Sequence, residues 1–360
     1  MPLMKRRSFL KGAALFSGLL AAGSSAGIAL ARSRNRYYQG PVSDHFNGVR
    51  FFNPGGVPPN GLADLLRWQM GGNRASWPAS VPVPSPAHPA ERVDDLTITM
   101  VGHATLLIQT AGMNLLTDPV WSDRASPFSF AGPRRVVQPG VAFEDLPPID
   151  AVLLTHSHYD HLDLATLRRL QDTHNPAVIT PLGNDTILRD GGVDLQCSVH
   201  DWGDVAELGP LRIHVEPCHH WSARGMNDRS MALWAGFVIE GPSGKVLHIG
   251  DTGFDGGRPY RDLTARHGAI RAAILPVGAY EPRWFMQGQH QNPDEAVQGF
   301  KLSGAGVGIG HHWGTFQLTD EPREAPLTAL HEALIAQNVQ PEQFRAMAPG
   351  ESWAIPALQS

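Results

Sequence analysis

Cysteine is nearly absent from this sequence, which has only Cys197 and Cys218 among 360 residues. A small fold held together by several disulfides is therefore excluded, and we expect both thiols to be unpaired. Basic residues are also scarce, with 29 Lys and Arg against 34 Asp and Glu, and they form no basic stripe. Because nucleic-acid binding needs Lys and Arg to neutralise phosphates, a nucleic-acid partner is disfavoured. The hydrophobic content of 42% and the length suit a globular protein with one large domain.

Charge is also absent from residues 12–30, which are rich in Gly, Ser and Ala. This stretch follows residues 6–11 (RRSFLK), which resemble a twin-arginine export signal, and it ends in an A-x-A cleavage site at residues 29–31. We expect residues 1–31 to be a signal peptide cleaved after Ala31, and the mature protein to be periplasmic. The alternative is an uncleaved anchor in the inner membrane, although the stretch is only weakly hydrophobic.

The rest of the chain divides into an N-terminal extension, a main domain and a short tail. Residues 32–94 are irregular, apart from a helix candidate at residues 62–70 and a proline-rich linker. The main domain is expected at residues 95–345, where strands, polar loops and helices alternate. It begins with a hairpin signal, in which residues 105–109 and 113–117 flank an Ala-Gly turn. Residues 346–360 are predicted to be a C-terminal tail.

Residues 155–161 (THSHYDH) place three imidazoles and one carboxylate directly after a short apolar run. The run at residues 150–154 predicts a strand that is buried on both faces. His156 and His158 lie two residues apart, so their side chains point to the same side if the backbone stays extended. Asp163 then suits the N-cap of a helix, because apolar residues recur at helical spacing through residue 170. The imidazoles therefore lie in a turn between a strand and a helix.

Asp160 and His161 lie where the chain turns, so they can address a second point close to that of His156 and His158. Imidazoles and carboxylates suit two adjacent metal ions, with zinc favoured and iron or manganese as alternatives. The competing interpretation is a histidine-rich surface loop or a set of hydrogen-bonded core histidines. Such residues at these offsets arise by chance in roughly one chain in several hundred, which favours the metal site.

Two metal ions need further ligands, and three other predicted strand ends supply candidates. They are His219 and His220, Asp251, and His311 and His312, each just past an apolar or alternating run. Loops at strand ends commonly carry chemistry on a rigid scaffold. Spacing alone does not choose between the two histidines of either pair.

The pattern H-x-H-x-D-H, with a downstream His, an Asp in GDTG and a late His, resembles the metallo-β-lactamase superfamily. Further stretches resemble the N-acylphosphatidylethanolamine-hydrolysing phospholipase D family. They are residues 101–105 (VGHAT), 116–119 (LTDP), 124–127 (RASP), 146–152 (LPPIDAV), 278–286 (GAYEPRWFM) and 312–316 (HWGTF). The 278–286 segment is much more specific than the metal motif. The resemblance implies an α/β fold, the metallo-β-lactamase αβ/βα sandwich, in which two mixed β-sheets are flanked by helices.

The resemblance also assigns the metal ligands. It gives one zinc ion to His156, His158 and His220, a second zinc ion to Asp160, His161 and His312, and makes Asp251 a bridge between both. His220 and His312 are selected because the family's ligand stands immediately before a tryptophan in both pairs. His219 and His311 are then expected to pack around the site or to contact the ligands.

For catalysis, the charge arrangement and the resemblance indicate a binuclear zinc hydrolase. Two zinc ions lower the pKa of a bridging water, so hydroxide is available without a side-chain nucleophile. The resemblance implies a phospholipase D-type phosphodiesterase that cleaves N-acylphosphatidylethanolamine-like phospholipids and releases phosphatidic acid. Asp251 and His290 are the catalytic candidates, and His290 is expected to contact the phosphate or to protonate the leaving alcohol. A surface histidine is the competing interpretation of His290.

Five more residues are candidates for contacts with the ligands or with the substrate: His103, Asp118, Tyr159, Gln289 and Trp313. Ligating imidazoles usually donate their second N–H to a carboxylate or a carbonyl, which suits a role beside the ligands for His103 and Asp118. Asp118 would equally suit a cap of the loop before Pro119. The aromatic residues of the 278–286 segment are expected either to line an acyl-chain groove or to belong to the core.

Two alternatives stand beside the phosphodiesterase. A lactonase or β-lactam-type hydrolase would use the same hydroxide on a carbonyl, and a non-catalytic zinc-binding protein would hold metal without turnover. The expected partner is a phospholipid or another small phosphodiester, with peripheral contact to a membrane. The extension at residues 32–94 is expected either to wrap the domain and cover an edge strand or to form part of a lipid groove. The sequence gives no prediction of the oligomeric state.

Overall fold

The computed structural model describes residues 34–358. The predicted signal peptide at residues 1–31 lies outside the described residues, so its cleavage and the periplasmic location stay predictions. Within residues 34–358, no helix combines the length and the apolar composition that a membrane span needs. Cys197 and Cys218 are both free thiols, as expected.

The first sheet has seven strands. They are β1 (Thr97–Gly102), β2 (Thr105–Thr110), β3 (Met113–Thr117), β4 (Ala151–Leu153), β5 (Ala177–Pro181), β6 (Cys197–His200) and β14 (Ser352–Ala354). Their order is β14-β1-β2-β3-β4-β5-β6, antiparallel as far as β3 and parallel from β3 to β6. The predicted hairpin between β2 and β3 turns at Ala111 and Gly112, which both have positive φ. Two-residue turns of this kind match the twist of the flanking strands.

The second sheet repeats this arrangement with seven more strands. They are β7 (Val205–Leu208), β8 (Leu211–Glu216), β9 (Gly236–Gly241), β10 (Gly244–His248), β11 (Ile270–Pro276), β12 (Ala305–His311) and β13 (Phe344–Ala346). Strands β7 to β10 are antiparallel and β10 to β13 are parallel. Both sheets are therefore mixed, as predicted. Apolar side chains from both sheets, such as Ile108, Phe237 and Ile274, form one continuous core between them.

Eight α-helices accompany the sheets in the described chain. They are α1 (Leu62–Met70), α2 (Leu164–Thr173), α3 (Asn184–Asp190), α4 (Arg258–Arg261), α5 (Leu263–His267), α6 (Arg283–Met286), α7 (Pro293–Ser303) and α8 (Ala325–Ala336). The side chain of Asp163 accepts a hydrogen bond from the N–H of Ala165 (3.0 Å), which forms the predicted N-cap of α2. Leu167 of α2 and Val297 of α7 belong to two separate apolar clusters, one on each sheet. Helices therefore flank the two sheets, and the predicted sandwich is confirmed.

The loops after β4, β8, β10 and β12 carry the ligand candidates of the sequence. Strands β10, β11 and β12 are parallel neighbours, so their carboxyl ends lie at the same edge of the second sheet. The loop after β4 leaves the parallel part of the first sheet. Both sheets thus contribute loops to one site.

The folded domain continues beyond its predicted end at residue 345. Strand β14 lies within the predicted tail and pairs with β1 in antiparallel register, with Ile98 opposite Trp353. A three-residue strand is too short to show a recognisable alternation of apolar and polar residues. The prediction of a tail at residues 346–360 therefore missed this edge strand.

The N-terminal extension lies against the domain from residue 34 onward. Its helix α1 occupies the predicted residues 62–70. Asn35 Nδ2 donates to the backbone oxygen of Met231 (2.8 Å), and Asn53 Nδ2 donates to that of His220 (2.9 Å). The second bond joins the extension to a loop that carries a ligand candidate. The extension therefore wraps the domain and also borders the site.

Candidate metal centre

An arginine from another loop holds the turn at residues 155–161 in place. Arg224 Nη1 donates to the backbone oxygens of Ser157 (3.0 Å) and Leu162 (2.8 Å). Its guanidinium carbon also lies 3.9 Å from the ring centre of Tyr159. The backbone that aims the ligand candidates is therefore fixed from outside the turn.

His156, His158 and His220 form a first group of facing nitrogen atoms. His156 Nε2 lies 2.9 Å from His158 Nδ1, and His220 Nε2 lies 3.3 Å from the same His158 nitrogen. The rings of His156 and His220 are buried. Two loops, after β4 and after β8, thus supply nitrogens that converge on one point.

Asp160, His161 and His312 form a second group beside the first. Asp160 Oδ2 lies 3.2 Å from His312 Nε2 and 3.5 Å from His161 Nε2. Asp251 Oδ2 lies 3.2 Å from each of these two nitrogens and 3.8 Å from His220 Nε2. Asp251 is therefore located between the groups, where a bridging ligand would stand. The structure brings all seven ligand candidates together.

The donor atoms of this cluster fit metal ions. Two nitrogens that share a tetrahedral zinc ion lie about 3.3 Å apart, given Zn–N bonds of about 2.0–2.1 Å. The facing nitrogens of the first group are 2.9 Å and 3.3 Å apart. His161 Nε2 and Asp251 Oδ1 are buried without a hydrogen-bond partner in the described chain. Because buried polar atoms are costly unless they are satisfied, these atoms indicate a site for a cation.

Burial and charge set the protonation of the cluster. Burial lowers the pKa of His158 and of His220 to about 3, so both rings are neutral, the form that binds metal. Burial also disfavours the charged form of His312, but Asp251 and Asp160 outweigh it and raise the pKa of His312 to about 9. The second group therefore attracts a positive charge, and a metal cation can take the place of the proton.

Asp118 sets the orientation of His161. Its Oδ2 accepts hydrogen bonds from His161 Nδ1 (2.7 Å) and Thr155 Oγ1 (2.6 Å), while its Oδ1 accepts one from the N–H of Thr155 (2.7 Å). The carboxylate is fully buried, and both oxygens are used. His161 Nε2 is thereby turned toward Asp251. Asp118 contacts a ligand candidate and does more than cap the loop before Pro119.

His103 contacts the other side of the second group. Its Nε2 lies 2.9 Å from Asp160 Oδ2, and its ring centre lies 4.0 Å from that of His312. The backbone oxygen of His103 also accepts a hydrogen bond from the N–H of His312 (2.9 Å). His103 therefore positions a carboxylate and an imidazole of the cluster.

Gln289 supports the site through its backbone. Its carbonyl oxygen accepts a hydrogen bond from His220 Nδ1 (3.0 Å), which leaves Nε2 of that ring for the cluster. The side-chain amide of Gln289 donates to the backbone oxygen of Val57 (3.0 Å) in the extension. The sequence predicted that Gln289 lies at the site, but not that its backbone oxygen makes the contact. A backbone carbonyl is common to all residues and leaves no signal in the sequence.

A cleft of about 230 Å³ leads to the cluster. Its polar lining includes His158, Asp160, Asp251 and His290. Its apolar lining comes from both the extension and the domain: Pro59, Leu65, Trp68, Trp221, Ala279, Phe285, Met286 and Leu318. A larger open depression of about 880 Å³ near Arg34 lies away from the cluster. The smaller cleft, where apolar walls meet convergent polar groups, is therefore the better candidate for a substrate site.

Comparison with known proteins places the chain in a family. Residues 113–313 match the model of the β-lactamase superfamily domain. The chain is 37% identical over 270 residues to N-acyl-phosphatidylethanolamine-hydrolyzing phospholipase D 1 of Caenorhabditis elegans, covering 72% of this chain and 75% of that protein. It is 30% identical over 271 residues to a metal-dependent hydrolase of Herpetosiphon aurantiacus, covering 72% of this chain and 98% of the relative.

The match to the family model spans more than half of the chain and includes the whole cluster. The chain belongs to the metallo-β-lactamase superfamily. It is a metal-dependent hydrolase of this fold. A solved isothiocyanate hydrolase from Delia radicum gut bacteria shares the fold, with a TM-score of 0.58 at 22% identity over 72% of this chain and 99% of that one.

In this metallo-β-lactamase-fold hydrolase, His290 lines the cleft beside Asp251. Its Nδ1 lies 3.9 Å from Asp251 Oδ2 and has no hydrogen-bond partner in the described chain. Burial lowers the pKa of His290 to about 4. His290 is only 9% exposed, so the interpretation as a surface histidine was wrong.

Tyr159 and Trp313 lie outside the cleft of the hydrolase. The hydroxyl of Tyr159 donates to the backbone oxygen of Arg224 (2.9 Å), and its ring lines a separate cavity. Trp313 packs near the guanidinium of Arg323, 5.8 Å from the ring centre, and lines another small cavity. Both side chains therefore pack around the site without reaching the cluster.

His219 and His311 also stay out of the cluster. His219 Nδ1 lies 3.0 Å from Asp255 Oδ2, and its Nε2 lies 3.1 Å from the backbone oxygen of Val57. His311 is fully buried beside His248, with ring centres 5.2 Å apart. In both histidine pairs, the residue next to tryptophan is the one in the cluster.

Sequence reasoning missed the lining residues Asn60, Leu65, Trp68 and Arg229. The helix α1 was predicted, but nothing in its sequence indicated which part of the domain it covers. Trp68 Nε1 donates to Asp320 Oδ2 (2.9 Å), across 252 positions of the chain. Contacts of that range leave no signal in local periodicity.

Proposed function

We propose that this hydrolase is a binuclear zinc phosphodiesterase of the phospholipase D type that cleaves N-acylphosphatidylethanolamine-like phospholipids. The observation that carries the proposal is the junction of the His/Asp cluster with an apolar cleft. A phospholipid would place its phosphate at the cluster and its acyl chains along the apolar walls. A relative that is 37% identical is named for this reaction, which supports the same class of substrate.

Seven residues would hold the two zinc ions. His156, His158 and His220 would bind one, Asp160, His161 and His312 the other, and Asp251 both. Imidazole and carboxylate ligands suit zinc, with iron or manganese as alternatives. When bound, the ions would supply a water that ionises near neutral pH and positive charge opposite the phosphate oxygens.

His290 faces the place that the phosphate would occupy. A neutral imidazole there can donate its N–H to a phosphate oxygen or to the oxygen of the leaving alcohol. In the overall reaction, the oxygen of one water joins phosphorus, the P–O bond to the N-acylethanolamine breaks, and the alcohol oxygen gains a proton. The products are phosphatidic acid and N-acylethanolamine.

The exposed side chains of α1 would contact the membrane that contains the lipid substrate. None of its residues is buried, and Leu62, Leu66 and Met70 are 67%, 53% and 80% exposed. Leu65 and Trp68 of the same helix line the cleft. An exposed apolar helix beside a substrate cleft favours peripheral contact with a membrane.

We place this activity in the periplasm because residues 6–11 resemble a twin-arginine signal. Replacing Arg6 and Arg7 by lysine together should retain the full-length chain in the cytoplasm. Cell fractionation measures the outcome. An unchanged distribution of the enzyme would remove the support for export by this route.

The direct test is hydrolysis of N-acylphosphatidylethanolamine by the purified, zinc-loaded protein. We expect release of phosphatidic acid, and a loss of about a thousandfold in Asp251→Asn because that residue would bind both metal ions. A chelator should abolish turnover, and added zinc should restore it. Release no greater than that of the Asp251→Asn variant would contradict the proposal.

The same preparation separates the alternatives. Its turnover of a lactone, a cephalosporin and an aryl phosphodiester is compared, and its metal content is measured by elemental analysis. Faster turnover of a carbonyl substrate would support the lactonase or β-lactam-type hydrolase. Two bound metal ions with no turnover of any substrate would support a non-catalytic zinc-binding protein.

A further inference from the structure

One guanidinium lies in the cleft among apolar and acidic side chains. Within the described chain, Arg229 is the only Lys or Arg that lines this cavity. Its Nη1 donates to the backbone oxygen of Asn60 (2.6 Å), and its guanidinium carbon lies 4.6 Å from the ring centre of Trp221. Arg229 is neither a member of the His/Asp cluster nor a participant in the proposed hydrolysis step.

Arg229 has no carboxylate partner among residues 34–358, and only the backbone oxygen of Asn60 accepts a hydrogen bond from it. Its residue is half-buried, and burial together with the nearby Arg50 lowers the pKa of Arg229 from its usual value. A guanidinium offers several N–H donors in a fixed fork. Most of these donors therefore remain available to an anionic group of a ligand.

Arg229 stands at the reacting end of the cleft. The Trp221 ring beneath it also contacts the ligand candidate His158, with ring centres 4.6 Å apart. The ring of Trp221 therefore lies between the guanidinium and the ligand candidate His158, and the guanidinium lines the same cavity as the cluster. A phosphate at the cluster, and the head group attached to it, would lie within the field of this cation.

We infer that Arg229 is a specificity-determining residue that selects phosphodiesters whose head group carries no positive charge. The inference rests on the proposed function. Unmodified phosphatidylethanolamine carries an ammonium group, which the guanidinium repels, whereas N-acylation removes that charge and leaves the negative phosphate. Unit charges about 8 Å apart in a partly screened site change a binding equilibrium by about ten- to thirtyfold.

The test compares kcat/KM for N-acylphosphatidylethanolamine and for phosphatidylethanolamine with the same acyl chains. The wild type should prefer the N-acylated lipid, and Arg229→Gln should lose about tenfold on that lipid but little or nothing on the zwitterionic one. Arg229→Lys, which keeps the charge, should retain most of the preference. The matched control is Arg345→Gln, because Arg345 also stacks on a tryptophan, Trp353 (4.2 Å), at an exposed position outside the cleft.

A merely structural role of Arg229 predicts a different result. Loss of the bond to Asn60 alone would lower turnover of both lipids equally, and an unchanged ratio in Arg229→Gln would overturn the inference. The melting temperature of each variant shows whether the fold is intact.

Failure of the proposed function is distinguishable from failure of this inference. If the wild type cleaves no phosphodiester, the proposed function fails, and binding of a short-chain phosphatidate then tests the cation by itself. Isothermal titration should show about tenfold weaker binding in Arg229→Gln than in the wild type or Arg345→Gln. Equal affinities would overturn the inference independently of turnover.

Discussion

The His/Asp cluster and the wall formed by α1 border the same cleft but are built in opposite ways. All the ligand candidates except the half-buried His158 are buried, and fixed partners orient them, as Asp118 orients His161 and Gln289 orients His220. By contrast, α1 has no buried residue and is attached through single side chains such as Trp68. A preorganised frame carries the chemistry, and a loosely attached element shapes the substrate site. Substitutions in the two regions should therefore change different measured quantities.

Among the residues that support the site without being ligand candidates, the largest effect is expected on the rigid side, at Asp118. Asp118→Asn removes the charge and one of the acceptor oxygens that hold His161 and Thr155. Zinc affinity and kcat/KM should both fall by about 10- to 100-fold. Competition with a chelator measures the affinity, and hydrolysis of a short aryl phosphodiester measures the activity.

Asp123→Asn is the matched control for that substitution, because Asp123 is an exposed carboxylate in the same connection between β3 and β4. It should leave both quantities near the wild-type values. If the two variants lose zinc equally, the orienting role of Asp118 is refuted.

An intermediate effect is expected on the loose side, at Trp68. Its ring lies 4.9 Å from that of Phe285, and both line the cleft. Trp68→Ala removes apolar wall, so kcat/KM for a long-chain lipid should fall about tenfold. Zinc content should be unchanged, and turnover of a short aryl phosphodiester should stay within about twofold, since the transition-state contacts at the cluster remain.

Trp353→Ala provides the comparison, since Trp353 lies on β14, outside the cleft. It should change neither the preference for long chains nor the zinc content. Loss of zinc in Trp68→Ala would show that α1 also stabilises the His/Asp cluster, and it would contradict the separate roles of the two regions.

The smallest effect is expected at Glu216, at the end of the strand that precedes the loop with His220. This buried residue ends β8, and its Oε1 accepts a hydrogen bond from His267 Nε2 (2.7 Å). Burial alone would raise the pKa of Glu216, but His267 and Arg266 outweigh it and lower that pKa below its usual value. The ionised carboxylate therefore stabilises the fold above the pKa of about 4.3 in the unfolded chain, and its contribution is lost as the pH falls through the folded value.

Glu216→Gln should accordingly lower the free energy of unfolding by about 1–2 kcal/mol at neutral pH. The difference from the wild type should shrink as the pH falls below about 4, as measured by denaturant unfolding across that range. Glu207→Gln, which removes an exposed ion pair with Arg212 (3.3 Å), should cost less than about 0.5 kcal/mol. A constant difference at every pH would exclude the ionised carboxylate as the cause.

Much of the fold follows from features that neighbouring residues encode. The hairpin of β2 and β3 was predicted from alternation on both sides of an Ala-Gly turn, and α2 from its period and from Asp163. Strand β14 was missed because three residues carry no recognisable period and because its partner, β1, lies about 250 positions earlier. Local patterns predict elements, whereas the pairing of distant strands depends on packing.

The candidate site divides in the same manner. Residues 155–161 indicated metal chemistry because several donors lie close together in the chain, and therefore close together in space. Spacing could not separate His219 from His220, whereas the structure gives His219 two partners of its own, Asp255 and Val57. Tyr159 stands between two ligand candidates in sequence, yet its ring turns toward Arg224.

The sequence by itself predicted the donors of residues 155–161, because ligand spacing is a property of neighbouring residues, while its resemblance to a known family implied the fold class and selected His220 and His312. Only the tertiary structure decided that the backbone oxygen of Gln289 orients His220 and that α1 walls the cleft. It also placed Arg229 one indole ring from the cluster. Such contacts join residues far apart in the chain, and packing of the whole core sets them, which no local pattern records.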